Sequence, residues 1–118
     1  MPRYVDGFVI PMPEKNVEAY RKIAQKAGKI WMEHGALAYL ESVGEDLAPP
    51  FGTQFPRLAK TKAGETVIFA FIVFKSRAHR DRVNAKVMKD PRLQEGPKEM
   101  PFEMKRMTYG GFTAIVDL

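Results

Sequence analysis

The chain has 118 residues, 45% of them hydrophobic and 28% charged, the balance of one folded domain spanning 1–118 rather than of a disordered segment. It contains no cysteine, which excludes disulfides, thiolate nucleophiles and Cys-ligated metals. A net charge of +5 suits an anionic partner and serves solubility equally well.

The first expected strand is Tyr4 to Met12, ending at Pro11-Met12-Pro13, where Pro13 is suited to open a helix. From there Val17, Tyr20, Ala24, Ala27 and Trp31 recur at spacings of three and four, with Ile23 and Ile30 widening the stripe. The helix is expected to reach His34 and stop at Gly35, which tolerates the left-handed position after a helix end. Ala36 to Val43 reads as a second strand. The stretch from Gly44 to Gly64 is broken by Pro49, Pro50, Gly52 and Pro56, and loops of this length inside a compact domain usually carry function. A modest pocket between this loop and the sheet is therefore expected.

Glu65 to Phe74 is the clearest strand, rich in Val, Ile and Phe. Ser76 caps a second helix that ends at Asp90-Pro91, with a thinner apolar face than the first. A broken connection, Arg92 to Pro101, leads to a last strand from Lys105 to Ile115. The order β-α-β, β-α-β is the ferredoxin-like arrangement of the α+β class, a four-stranded antiparallel sheet with both helices on one face.

The third strand makes the other face a problem. A strand with one wet face alternates apolar and polar residues. Here Val67, Phe69, Phe71 and Val73 point one way, and Ile68, Ala70, Ile72 and Phe74 the other. Two helices cover only one of these sets. A second subunit, a ligand or stacked bases must lie on the other, with Phe69 and Phe71 at the contact.

The chain resembles the YbaA-like family, small uncharacterised bacterial proteins of the dimeric α+β barrel group. The stretches that carry the resemblance are Tyr4-Val5-Asp6-Gly7-Phe8-Val9, Glu65-Thr66-Val67-Ile68-Phe69, Arg80-Asp81 with Asn84, Met88-Lys89-Asp90-Pro91-Arg92, Met100-Pro101-Phe102, and Lys105-Arg106-Met107 with Tyr109-Gly110-Gly111-Phe112. Membership implies a homodimer whose sheets face each other. The wider group includes cofactor-independent monooxygenases, small isomerases and haem enzymes, so it implies no single mechanism. Two departures stand out. Family members often carry Cys-Trp-Gly-Asp-Asp where this chain has Ser42-Val43-Gly44-Glu45-Asp46, and an acid-glycine pair where it has Glu103-Met104. Any role needing that cysteine or tryptophan is absent.

Asp6, Glu41 and Arg106 are charges within expected strands, where desolvation demands partners. On the barrel-facing side, with Tyr39 or Tyr109 nearby, they would form a polar pocket for a small organic molecule, and a carboxylate there could serve as a base. The alternative is a structural salt bridge, or strand-end charges reaching water. His34 has the chemistry of a general base and equally that of a favourable charge at a helix C-terminus. His79, among Arg77, Arg80 and Arg82, reads as solvated surface. Arg80 and Asn84, at i and i+4, either face an acidic group together or anchor the Asp90-Pro91-Arg92 loop.

No histidine-carboxylate set has metal-ligand spacing, and no phosphate cradle or nucleophile elbow is present, so neither a metal nor a cofactor is expected. The third strand partly matches the aromatic pattern of RNA-recognition domains, but it lacks the leading basic residue and the glycine, and Asp6 would repel phosphate. The first expectation is thus a cofactor-free enzyme or binding protein for a small molecule. RNA binding and a purely structural dimer are the alternatives. Met1 to Asp6 shows no targeting pattern and the apolar run from Thr66 to Phe74 is too short to span a bilayer, so the cytoplasm is the expected compartment.

Overall fold

A computed structural model describes all 118 residues. Four strands, β1 (Tyr4–Pro13), β2 (Ala38–Val43), β3 (Glu65–Phe74) and β4 (Thr108–Thr113), form one antiparallel sheet in the order β2-β3-β1-β4. Helices α1 (Val17–Glu33) and α3 (Arg77–Lys89) make the two crossovers, while α2 (Phe55–Ala59) and α4 (Pro91–Gln94) are short. This is the ferredoxin-like α+β fold.

The long elements form where local chemistry favours them. Pro13 precedes a 3-10 turn, Glu14–Asn16, that leads into α1. Gly35 follows α1 with φ +116°, a conformation that side chains disfavour. The Ser76 hydroxyl accepts from the His79 amide at 3.1 Å and caps α3.

Register fixes which residues share a face. Pairing sets Tyr4, Asp6, Phe8, Ile10 and Met12 of β1 beside Phe74, Ile72, Ala70, Ile68 and Thr66 of β3, and Tyr39 and Glu41 of β2 beside Ile72 and Ala70. All of these point toward α1 and α3. The core there lies in two lobes. One gathers Tyr4, Ile30, Ala36, Ile72, Phe74, Val83 and Val87; the other gathers Ile10, Met12, Tyr20, Ala24, Ile68 and Ala70. Phe8 touches both, and a cavity opens between them.

The opposite face presents Val5, Val9, Leu40, Phe69, Phe71, Val73 and Phe112. Phe69 is 46% exposed and Phe112 61%. Helix α2 reaches only the rim of this face, where Phe55 meets Phe69 edge-on at 6.0 Å. The expectation of a sheet apolar on both sides, clearest in β3, therefore extends to its neighbours.

Several boundaries differ from the sequence reading: the last strand ends at Thr113 rather than Ile115, and the broken stretch 44–64 holds the short helix α2. Lys105 and Arg106 belong to a 3-10 turn, Met104–Arg106, rather than to the last strand, because the Arg106 guanidinium is drawn off to Glu65. The strand β2 starts at Ala38, since Ala36 is still hydrogen-bonded to the Trp31 carbonyl at the end of α1.

Candidate functional site

A cavity of about 540 Å³ lies between the sheet and the inner faces of α1 and α3, within the usual size range of small-molecule sites. Helical periodicity supplies its walls. Tyr20, Ala24, Ala27 and Trp31 recur along one face of α1, and Arg80, Asn84 and Met88 along one face of α3. Phe8, Ile10 and Ile72 form the floor, and the segment after α4 roofs it with Met100, Phe102, Met104 and Met107. Methionine is flexible and polarisable, a suitable lining for a surface that must accommodate a guest. The weak apolar face of α3 now has a cause: only Val83 and Val87 are buried, and its neighbouring stripe serves the cavity.

Polar groups sit at two places in this apolar space. At the β2 side, Glu41 accepts from both phenols, Tyr20 at 2.7 Å on Oε1 and Tyr39 at 2.6 Å on Oε2. Burial pushes both phenols well above their ordinary range, and the Glu41 charge pushes them further, so both remain donors at any physiological pH. No cation pairs with Glu41. The clasp also depends on Gly28 of α1, because a Cβ there would fall 2.7 Å from the Tyr39 ring.

At the β4 side stands Asp6, its side chain about 10% exposed. The Arg80 Nε lies 3.7 Å from its Oδ1, beyond hydrogen-bond length. Arg80 donates from Nη2 to the Tyr4 hydroxyl at 3.2 Å and lies over the Tyr4 ring at 4.9 Å, while its buried Nε has no hydrogen-bond partner. Burial raises the Asp6 carboxyl above its ordinary range; the Arg80 charge and the Asn84 amide oppose this without cancelling it. Asn84 accepts from the Trp31 indole at 3.0 Å. Gly111, opposite Asp6 in β4, leaves room for Tyr4, whose hydroxyl would sit 2.2 Å from a Cβ there.

The expected residues thus divide. Asp6, Glu41, Tyr39, Tyr109, Arg80 and Asn84 all line the cavity, with Tyr109 stacked on Phe8 at 6.0 Å. Asp6 and Glu41 do share a face, but it is the helix-covered face and not the open, barrel-facing one. Arg80 and Asn84 turn inward and do not anchor the turn at Asp90. The loop 44–64 contributes nothing to the cavity, so the expected pocket between loop and sheet is replaced by one between sheet and helices.

Arg106 and His34 lie elsewhere. Arg106 grips Glu65 with two hydrogen bonds of 2.7 and 2.8 Å and donates to the Lys60 carbonyl. His34 meets Asp90 at 2.8 Å; Asp90 also receives the Arg92 side chain and backbone, and these partners hold its carboxyl well below the usual range. This group fastens the end of α1 to the turn that begins α4. His79 accepts from the Lys75 amide at 3.0 Å.

The Arg106 pair gives a stability prediction. Arg106 lowers the Glu65 carboxyl from the ordinary 4.5 to about 2. A depressed carboxyl stabilises the fold fully above its unfolded value and loses that contribution as pH falls toward its folded value. Arg106→Ala should cost about 2 kcal/mol near neutrality, the worth of a charged hydrogen-bonded contact. The gap between variant and wild type should close as pH falls from 4.5 toward 2, read from urea midpoints at successive pH values.

Tyr20, Trp31 and the methionine roof were not anticipated as site residues. Tyr20 carried a signal: a tyrosine on the buried stripe of a helix needs an acceptor for its hydroxyl.

Residues 3–104 match the model of a family described as "Protein of unknown function (DUF1428)". The uncharacterized protein YbaA of Escherichia coli K12 is 42% identical over 115 residues, 98% of each chain, and the Shigella flexneri YbaA matches to the same extent. The chain belongs to this YbaA family. The resemblance read from the strand and turn motifs is thereby established, and the YbaA alignment extends beyond residue 104. Among solved structures, a dimeric ferredoxin-like protein from an uncultured marine organism superposes with TM-score 0.62 at 11% identity over the full length of both chains. NIPSNAP proteins of Burkholderia xenovorans and Agrobacterium tumefaciens superpose at 0.55, with 14% and 15% identity, covering 92% and 96% of this chain and 91% and 88% of theirs. At such identities the YbaA-family chain shares their fold, and the shared fold specifies no activity.

No helix is long and apolar enough to cross a membrane.

Proposed function

We propose that the cleft binds a small, largely apolar organic molecule that carries a hydroxyl or amine, with Glu41 as its acceptor and no cofactor required. The observation that carries this reading is the Glu41 clasp. A carboxylate without a counter-cation is expensive in an apolar setting, and a purely structural core would be served as well by a hydrocarbon side chain. Each carboxylate oxygen has two acceptor sites and the phenols use one apiece. A guest donor can take another. The surrounding Ile, Phe and Met surface supplies apolar contact.

The chain's single tryptophan, Trp31, lines this cleft and reports on it directly. Titration with 4-tert-butylphenol should change Trp31 emission, and tert-butylbenzene, which has no donor, should bind more weakly. Glu41→Gln should weaken the phenol by about tenfold or more, the equivalent of one hydrogen bond to a charge, and leave the hydrocarbon unchanged. If Trp31 responds to neither compound, or Glu41→Gln leaves both affinities unaltered, the reading fails.

The open sheet face supports a homodimer as the working form. The outer strands of a four-stranded sheet lie about 14 Å apart from strand spacing alone. Across that width the exposed Leu40, Phe69 and Phe112 join the half-buried Val5, Val9, Phe71 and Val73 in one apolar patch of the kind that marks an interaction surface. Its strand positions carry no lysine or arginine, and the one acid, Glu65, is already paired. Nucleic-acid binding draws on phosphate contacts from basic side chains, so this face favours a second copy over RNA. A similar protein of the same fold is described as dimeric.

A further inference from the structure

We propose that Asp6 and Arg80 form a proton-transfer pair for a carbonyl compound held in the cleft, Asp6 taking a proton from the carbon next to the carbonyl and Arg80 holding the oxygen. This rests on the cleft being a small-molecule site and adds a reaction to it.

The four acids at or near the core are not equivalent. Glu41 is held by two phenols, Glu65 by a bidentate guanidinium, and Asp90 by His34 and Arg92. Asp6, facing the cavity, has only the Asn84 amide near enough to act as a donor, and its nearest charge stays 3.7 Å away. An acid fully satisfied by donors is a weak base; one left short of them is a better one. Burial acts on Asp6 in the same direction.

Arg80 has donors to spare. Its one hydrogen bond runs from Nη2 to Tyr4, while the buried Nε lies 3.3 Å from the Asp81 carboxylate and makes none, which leaves the remaining guanidinium N–H groups for a guest. Tyr4, wedged beneath Gly111 and under the guanidinium, fixes the position of that charge. A carbonyl oxygen accepting from Arg80 therefore places its α-carbon beside the Asp6 carboxylate, since acid and guanidinium are adjacent.

The step balances without a further reactant. The Asp6 carboxylate accepts the α-proton, the C–H electron pair forms the C=C bond of an enolate, and the carbonyl π pair moves to oxygen, where Arg80 stabilises it. Return of the proton to the same carbon gives exchange with solvent. Return to a conjugated carbon gives isomerisation. The substrate class is thus a ketone with an acidified α-carbon, attached to an apolar body that fits the cleft.

The test uses 2-tetralone as the probe, with two readouts on the intact chain. Trp31 emission reports binding, and proton NMR in deuterium oxide reports exchange at the benzylic α-carbon. Exchange should be faster than in buffer with an equal concentration of acetate by on the order of 100-fold, the low end for a positioned base. Asp6→Asn should abolish the acceleration and keep the Trp31 response. Asp6→Glu, which keeps the charge but moves it, should lose at least tenfold and serves if the amide variant does not fold. Binding without acceleration, or acceleration that survives Asp6→Asn, would overturn the proposal while sparing the cleft reading. Absence of a Trp31 response to 2-tetralone together with 4-tert-butylphenol would remove both.

Discussion

Phe71→Asp should abolish the proposed dimer and leave the chain a monomer. Phe71 stands at the middle of the open face, opposite Gly7 of β1 and Leu40 of β2, with Phe69 edge-on to it at 6.5 Å. Two copies joined by these faces are related by a two-fold axis, so each residue near the centre meets its own equivalent region. One substitution then buries two carboxylates with no cation on either face to receive them. An uncompensated buried charge costs about 3–5 kcal/mol, which weakens association on the order of 1,000-fold. Light scattering at micromolar concentration should show the mass fall from twice 13.4 kDa to 13.4 kDa. Lys22→Asp, on the exposed face of α1, should leave the dimer intact. A wild-type chain of 13.4 kDa would end the dimer reading. It would also return the apolar face to the RNA alternative, to be tested by RNA retention in Phe69→Ala and Phe71→Ala.

The fold was legible where burial imposes a period. Helix α1 declares itself through the stripe from Val17 to Trp31, α3 through the Ser76 cap, and β3 through an unbroken apolar run bounded by glycine and serine. The start of β4 was not legible, because the pairing of Arg106 with Glu65 joins residues 41 positions apart. Nothing local to Lys105-Arg106 distinguishes a strand from a turn tied down by such a bond.

The site was half legible for a related reason. Asp6, Glu41, Tyr39, Tyr109, Arg80 and Asn84 could be named because charged and hydrogen-bonding side chains near the core need partners. The face they occupy could not be read. Along β1, Tyr4, Phe8, Ile10 and Met12 alternate with Val5, Val9 and Pro11, so both sides are apolar and neither is marked as the helix side. Register assigns the faces, and register here comes from β3 pairing and from α3 bringing Arg80 over Asp6. The same double-sided apolarity that announced a covered sheet thus concealed where the polar groups lay.

The Glu41 clasp should behave as a unit when its parts are removed. Tyr20→Phe with Tyr39→Phe takes away both donors and leaves a half-buried carboxylate with neither of its hydrogen bonds. Hydrogen bonds to charged groups are worth about 1.5–3 kcal/mol each, so the double variant should lose at least about 3 kcal/mol, measured as a shift in urea midpoint at constant slope. Adding Glu41→Met removes the stranded charge and fills the space with a side chain of similar length. Replacing all partners of a buried polar contact by apolar groups is nearly neutral, so the triple variant should recover most of the loss. A triple variant less stable than the double would show that Glu41 is held by something other than the phenols. Recovery of stability should come with loss of discrimination between 4-tert-butylphenol and tert-butylbenzene, because the cleft would retain its apolar walls and lose its acceptor. Stability and ligand selectivity then move in opposite directions, which separates a carboxylate kept for binding from one kept for the fold.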